Sequence, residues 1–138
     1  MTEIELRAAA TTSTWRAFDG KPFDWAEKVT CIHLIAYHAA QMGREFPKLP
    51  SFKSAIGAKR ALTKVGFASV SEAISSKFEP IAPAMMRTGD VMAVPGTEGL
   101  DALWIRVDRK KFFGFHENAE GATIIDVDVN PAIGAWRF

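Results

Sequence analysis

The spacing of apolar residues changes once along this 138-residue chain, and that change limits the fold more than any other feature. In the first part, apolar side chains recur at helical intervals, as at positions 31, 34, 35, 39 and 42. After Thr88-Gly89-Asp90, short runs of strand character follow one another between turn residues. Helices followed by a meander of strands predict an α+β domain, with N-terminal helices packed on one side of a C-terminal antiparallel β-sheet.

Capping and turn residues set the expected limits of these elements. Residues 1–12 are expected to form a short N-terminal arm, and 1–138 a single domain. The expected helices are a brief one ending at Gly20, one from Cys31 to Met42, one over 51–65 and one opened by a Ser69–Glu72 capping box. The expected strands cover 91–94, 100–107, 111–116, 122–129 and 135–138. The expected core contains Phe23, Trp25, Leu34, Ile35, Leu62, Val91, Leu103, Ile105 and Trp136.

Composition excludes several classes of protein. A single cysteine allows no internal disulfide and no cysteine-rich zinc or iron–sulfur site. A net charge of +1 gives no general argument for nucleic-acid binding. The N-terminus lacks the basic-then-apolar order of a signal peptide, and no uninterrupted apolar run is long enough to span a bilayer, so we expect folding in a cytoplasm.

Cys31 is the first candidate functional residue. Thr30 is a suitable N-cap, which places the thiol in the first turn of a helix that Gly43 ends. The positive end of the helix dipole favours a thiolate and therefore a nucleophile. The alternative is structural, since a lone cysteine on an apolar helix face commonly serves as a small buried hydrophobe.

A cysteine nucleophile needs a base, and the chain has three histidines. His33 is two residues from Cys31 and points to another helix face, while His38 is two turns away. Only His116, on a distant strand, can approach the thiol through the fold, and it is the candidate base. A histidine with a purely structural or surface role is the alternative.

No cofactor or metal site is expected. Asp126-x-Asp128-x-Asn130 begins like a calcium loop, but Pro131 stands where that loop needs glycine. Gly96 and Gly99 lack the strand–loop–helix context of a phosphate loop.

The order of landmarks is more informative than any one of them. Pro22-Phe23-Asp24-Trp25 leads to a cysteine at a helix start, Gly89-Asp90-Val91 opens a strand, and Ala135-Trp136-Arg137-Phe138 ends the chain. This order resembles the small NlpC-type proteins of bacteriophage and prophage tail modules, a branch of the papain-like cysteine peptidases. The resemblance runs from Trp15 to Phe138.

The resemblance implies a nucleophile at the position of Cys31, facing the first long strands. Active relatives cleave peptide cross-bridges of the bacterial cell wall. Their catalytic histidine opens the strand after the Gly-Asp strand, a position near Ala102 here, but Leu100–Val107 contains no histidine and only the acid Asp101. His116 lies within about two residues of the third polar position and on the same strand face, because a shift of two residues preserves the face.

The leading hypothesis is therefore a structural or assembly component of a bacteriophage tail tip with a degenerate NlpC-like fold. Its partners would be other tail proteins, such as hub, distal-tail or fibre-bearing proteins, and its place the virion tail. The alternative is an active cysteine peptidase or amidase acting on peptidoglycan cross-links, with Cys31 as nucleophile and His116 as base. A third hypothesis is a small binding module unrelated to tails.

Overall fold

The computed structural model describes residues Met1–Phe138, with the helices first and the sheet after them. The α-helices are α1 Glu3–Phe18, α2 Cys31–Gln41, α3 Ala55–Lys64 and α4 Val70–Ser75. The strands are β1 Glu79–Pro80, β2 Val91–Val94, β3 Ala102–Asp108, β4 Lys111–Gly114, β5 Thr123–Asp126 and β6 Gly134–Arg137, and a short 3₁₀ turn covers Pro83–Met85.

All strands belong to one six-stranded sheet in the order β1-β6-β2-β3-β4-β5, and every neighbouring pair is antiparallel. Consecutive strands β2 to β5 form a meander, while β6 returns to pair with β2. The α+β class and the antiparallel sheet are as predicted from the change in apolar spacing.

The sheet separates two apolar clusters because successive side chains of a strand point to opposite faces. Leu103 and Ile105 belong to the main core, which the helices cover. Trp104 and Phe112 belong to a smaller cluster on the opposite face. This alternation decides which residues at the start of β3 face the helices.

The predicted core is largely correct. Leu34, Ile35, Leu62, Val91, Leu103, Ile105 and Trp136 are buried, and Trp25 is half-buried. Phe23 is the exception, with 44% of its surface exposed. Its ring packs edge-to-face against Trp25 and Phe115 at the molecular surface.

The N-terminal arm expected over residues 1–12 is instead most of α1. Thr2 caps this helix by accepting a hydrogen bond from the Glu5 backbone N–H. The buried face of α1 includes Arg7, Thr11 and Thr14, so its contact surface is largely polar. A search for apolar periodicity does not detect such a helix.

Candidate functional site

A tight turn leads into α2 and fixes where that helix begins. Asp24 and Val29 exchange backbone hydrogen bonds of 2.8 and 2.9 Å, and the Asp24 carboxylate accepts from the backbone N–H groups of Ala26 and Glu27. Lys28 adopts a positive φ of 59° within this turn. The aromatic Pro-Phe-Asp-Trp segment is therefore part of a closed turn, and Thr30 follows directly after it.

Thr30 caps α2 as predicted from the sequence. Its hydroxyl oxygen accepts from the His33 backbone N–H at 3.3 Å and lies 2.7 Å from Nδ1 of the same residue. Cys31 is the first residue of the helix and is partly buried. The predicted position of the cysteine, in the first turn of a capped helix, is confirmed.

The thiol of Cys31 contacts the start of β3. Sγ donates a hydrogen bond to the backbone carbonyl of Asp101 at 3.8 Å. Burial raises the pKa of Cys31 to about 11, while backbone N–H groups of Leu103, Ile32 and Cys31 lower it, and the Asp101 charge raises it further. The backbone N–H groups at the helix start lower the pKa and so favour a thiolate, but the loss of solvation raises the pKa by more.

Asp101, the residue immediately before β3, faces the helices. Leu103 points into the helix-covered core and Trp104 to the opposite face, so alternation places Asp101 with Leu103, and Ala102 with Trp104. In agreement, Asp101 Oδ2 accepts from the Ser71 hydroxyl on α4 at 2.7 Å. Near the expected base position at Ala102, the side chain that faces the helices is therefore that of Asp101.

Asp101 and Ser71 are not among the candidate site residues that the sequence indicates. Counting side-chain alternation back from Leu103 would have identified Asp101. Nothing in the sequence indicates Ser71, which lies 30 residues from its partner.

His116 lies beyond the end of β4. It lines the same groove as Cys31, but its Nδ1 accepts from the backbone N–H of Asn118 at 3.1 Å. A neutral ring in this state carries its proton on Nε2, so its one acceptor nitrogen is occupied. The structure places no hydrogen bond between His116 and Cys31, whose thiol donates to a carbonyl instead.

The other two histidines are held by neighbours within the fold. His33 bonds to Thr30, and burial lowers its pKa. His38 is fully buried, with Nε2 at 2.8 Å from the Gly89 carbonyl and Nδ1 at 2.8 Å from the Thr14 hydroxyl. Burial lowers the pKa of His38 to about 4, so the ring is neutral, with Nε2 donating and Nδ1 accepting.

A groove of about 660 Å³ runs past Cys31 between the turn before α2 and the loop that joins β2 to β3. Eleven of its 18 lining residues are hydrophobic, so its walls are mainly apolar. The lining residues are Phe23, Trp25, Cys31, Ile32, Val94, Pro95, Gly96, Thr97, Glu98, Leu100, Asp101, Ala102, Leu103, Trp104, Phe115, His116, Glu117 and Ala119.

No group of three or more His, Cys, Asp or Glu side chains is arranged to hold a metal ion. None of the helices is both long enough and apolar enough to cross a membrane.

Helices on an antiparallel sheet, with a cysteine at the start of one helix facing a strand, define an NlpC/p60-type fold. The chain belongs to the family described as "Domain of unknown function (DUF6950)", whose model matches residues 4–138. No curated protein sequence matches the chain.

Three solved structures illustrate the shared fold. The NlpC/p60 domain of the peptidoglycan hydrolase SagA has a TM-score of 0.63 and 15% identity, covering 95% of this chain and 98% of that one. The P60 domain of antigen MAP1204 from M. avium subspecies paratuberculosis has a TM-score of 0.64 and 12% identity, covering 98% and 96%. RipD from Mycobacterium tuberculosis, described as a non-catalytic NlpC/p60 domain protein adapted to peptidoglycan binding, has a TM-score of 0.61 and 15% identity, covering 99% and 98%.

Proposed function

We propose that this chain is a non-catalytic NlpC-type domain that acts as a structural component of a bacteriophage tail tip. The hydrogen bonding of Cys31 is the main support for the absence of catalysis: its thiol donates to a backbone carbonyl and has no imidazole among its hydrogen-bond partners. With a pKa of about 11, roughly one thiol in ten thousand is ionised at pH 7. A cysteine peptidase needs a thiolate and a neighbouring base.

The fold itself is compatible with a role other than catalysis. RipD, which shares it, is described as non-catalytic. The tail-tip assignment is supported by the order of landmarks from Trp15 to Phe138, which resembles tail-module proteins. Its partners would be hub, distal-tail or fibre-bearing proteins, and the chain would fold in the host cytoplasm before incorporation into the virion tail.

A second candidate is peptidoglycan binding without cleavage. The observation that favours it is the retained groove beside Cys31, together with the description of RipD as adapted to that function. An active peptidase or amidase, with His116 as base, requires this ring to leave Asn118 and to approach the thiol.

The decisive experiment measures the reactivity of Cys31. The native chain is alkylated with iodoacetamide across pH 6–11, and the modified fraction is followed by mass spectrometry. We expect slow alkylation at neutral pH and a steep rise only above about pH 10. In parallel, purified peptidoglycan is incubated with the chain and with Cys31→Ala, and soluble fragments are quantified. Fragment release that disappears in Cys31→Ala would overturn the non-catalytic assignment.

The tail-tip assignment has its own test. Particles of the phage or induced prophage that encodes the chain are purified on a density gradient and analysed by mass spectrometry. We expect the chain at constant stoichiometry with known tail proteins. Its absence from purified tails would contradict this part of the proposal and leave peptidoglycan binding as the remaining function.

A further inference from the structure

Rigid aromatic side chains form one wall of the groove. The ring centroid of Phe23 lies 5.3 Å from those of both Trp25 and Phe115, in edge-to-face contacts. Phe23 nevertheless keeps 44% of its surface exposed. Aromatic surface fixed in this way offers contact area for apolar groups and, through the ring quadrupole, for cations.

Three carboxylates line the same groove, those of Glu98, Asp101 and Glu117. None of the three takes part in an ion pair, since the acids paired within 4.0 Å are elsewhere in the chain. The carboxylate of Asp101 accepts only from the neutral Ser71 hydroxyl. The lining contains no lysine or arginine, and the nearby Lys59 ammonium lies beside Gly99, between the lining residues Glu98 and Leu100.

We propose that this groove binds an extended cationic peptide segment, a short run with Lys or Arg between apolar side chains, that belongs to a protein partner. The aromatic wall receives the apolar side chains and the cationic head groups, and the carboxylates complement their charge. The volume matches that of pockets for small ligands, so only a few residues enter. The inference rests on the proposed function, because a working peptidase would cleave such a segment.

The test uses the full chain and labelled pentapeptides of the sequence Leu-Lys-Ala-Arg-Leu, with Leu-Gln-Ala-Gln-Leu as the neutral counterpart. Binding is measured by fluorescence anisotropy in 50 mM salt. We expect the cationic peptide to bind at least several-fold more tightly than the neutral one. Equal binding of the two peptides, or no binding of either at millimolar concentration, would overturn the proposal.

Two matched double variants test whether the peptide binds in the groove. Glu98→Gln combined with Glu117→Gln removes two exposed charges from the lining. This double variant should lower the affinity for the cationic peptide roughly five- to tenfold. Glu120→Gln combined with Asp128→Asn removes two exposed charges outside the lining. This double variant should change the affinity for the cationic peptide by less than about twofold. An equal loss in both pairs would show non-specific attraction and contradict the proposal. Unfolding midpoints verify that both double variants fold.

Two other occupants of the groove would each give a different experimental result. A peptidoglycan stem peptide that displaces the cationic peptide at lower concentration would assign the groove to the cell wall and overturn the inference. Self-association of the chain in sedimentation experiments, abolished by Glu98→Gln with Glu117→Gln, would assign the groove to a second copy and overturn it too. If the peptide fails to bind while Cys31 remains unreactive at neutral pH, only this inference fails, and the non-catalytic function stands.

Discussion

The hydroxyl of Ser71 on α4 donates to Oδ2 of Asp101 across 2.7 Å, at the point where the start of β3 faces Cys31. The same aspartate offers its backbone carbonyl to the thiol. A carboxylate held here by a neutral hydroxyl disfavours a neighbouring thiolate, whereas an imidazolium in its place would favour one. Burial raises the pKa of Cys31 most, and the negative charge of Asp101 adds to that rise, so both disfavour the thiolate at this helix start.

Replacing Asp101 with histidine should therefore reverse part of this effect. We expect the pKa of Cys31 to fall from about 11 by roughly one to two units, because the substitution removes a negative charge and adds an ionisable imidazole next to the thiol. The pH at which iodoacetamide alkylation becomes half-maximal measures the shift. Ala102→His is the control: Ala102 also lines the groove, but its side chain points to the opposite strand face, so this substitution should move the midpoint less. An equal effect of both substitutions would contradict the assigned alternation.

The order of helices and strands could be predicted because local signals carry it. Thr30 and Ser69 cap their helices as expected, with their hydroxyl oxygens accepting from His33 and Glu72 backbone N–H groups. The position of Cys31 follows from the same signals. Its ionisation does not, because the pKa depends on burial and on contacts with Asp101 and Leu103, which lie about 70 residues away in the sequence.

The buried polar contacts around Asp90 cannot be predicted from the sequence for the same reason. Arg7 lies 83 residues from Asp90, and Arg137 lies 47 residues from it, yet both guanidinium groups bond to this one carboxylate. Each residue looks like an ordinary surface charge in the sequence. The return of β6 beside β2 brings Arg137 to Asp90, and the packing of α1 against this end of the sheet brings Arg7, and no local pattern encodes either contact.

The cap of α2 should contribute measurably to stability. Thr30→Ala removes the acceptor for the His33 backbone N–H and the partner of its ring, so we expect a loss of about 1–2 kcal/mol in the free energy of unfolding. Urea unfolding followed by circular dichroism measures it. Thr30→Ser retains the oxygen and should recover most of the loss. If the serine variant is as unstable as the alanine variant, the hydroxyl is not the stabilising group.

His38 should make stability depend on pH. Burial lowers its pKa to about 4 from an unfolded value near 6.5, with Arg7 also lowering it and the Gly89 carbonyl and Asp90 raising it. The unfolded chain therefore takes up this proton first as the pH falls. The contribution of the neutral ring is complete above about pH 6.5 and is lost toward pH 4, to a total of about 3 kcal/mol.

Urea unfolding at pH 7.5 and pH 4.5 tests this dependence in wild type and in His38→Gln. Carboxylates that do not interact with His38 contribute equally to both chains, so the difference between the two pH dependences reports on His38 and its interaction with Asp90. We expect His38→Gln to be less stable at pH 7.5, because it loses well-placed bonds, but to lose about 2–3 kcal/mol less on acidification. Parallel pH curves for the two chains would show that His38 does not titrate in this interval.

Asp90 should be the most sensitive polar position in the chain. Its buried carboxylate accepts from Arg7, Arg137 and the backbone N–H groups of Arg87 and Phe138. Asp90→Asn removes the negative charge and leaves the buried Arg7 guanidinium uncompensated, for which we expect a loss of about 3–5 kcal/mol in the free energy of unfolding.

The matched control is Asp126→Asn, which breaks an ion pair with Lys111 whose side chains are 71% and 60% exposed. An exposed pair of this kind contributes at most about 1 kcal/mol because solvent screens it, so the urea midpoint should move little. Arg137→Gln should fall between the two, since that guanidinium is partly exposed and Arg7 still neutralises Asp90. A loss in Asp90→Asn no larger than in Asp126→Asn would mean that water or a rearranged side chain compensates Arg7, and that the contact between α1 and the β2–β6 end of the sheet does not depend on this charge.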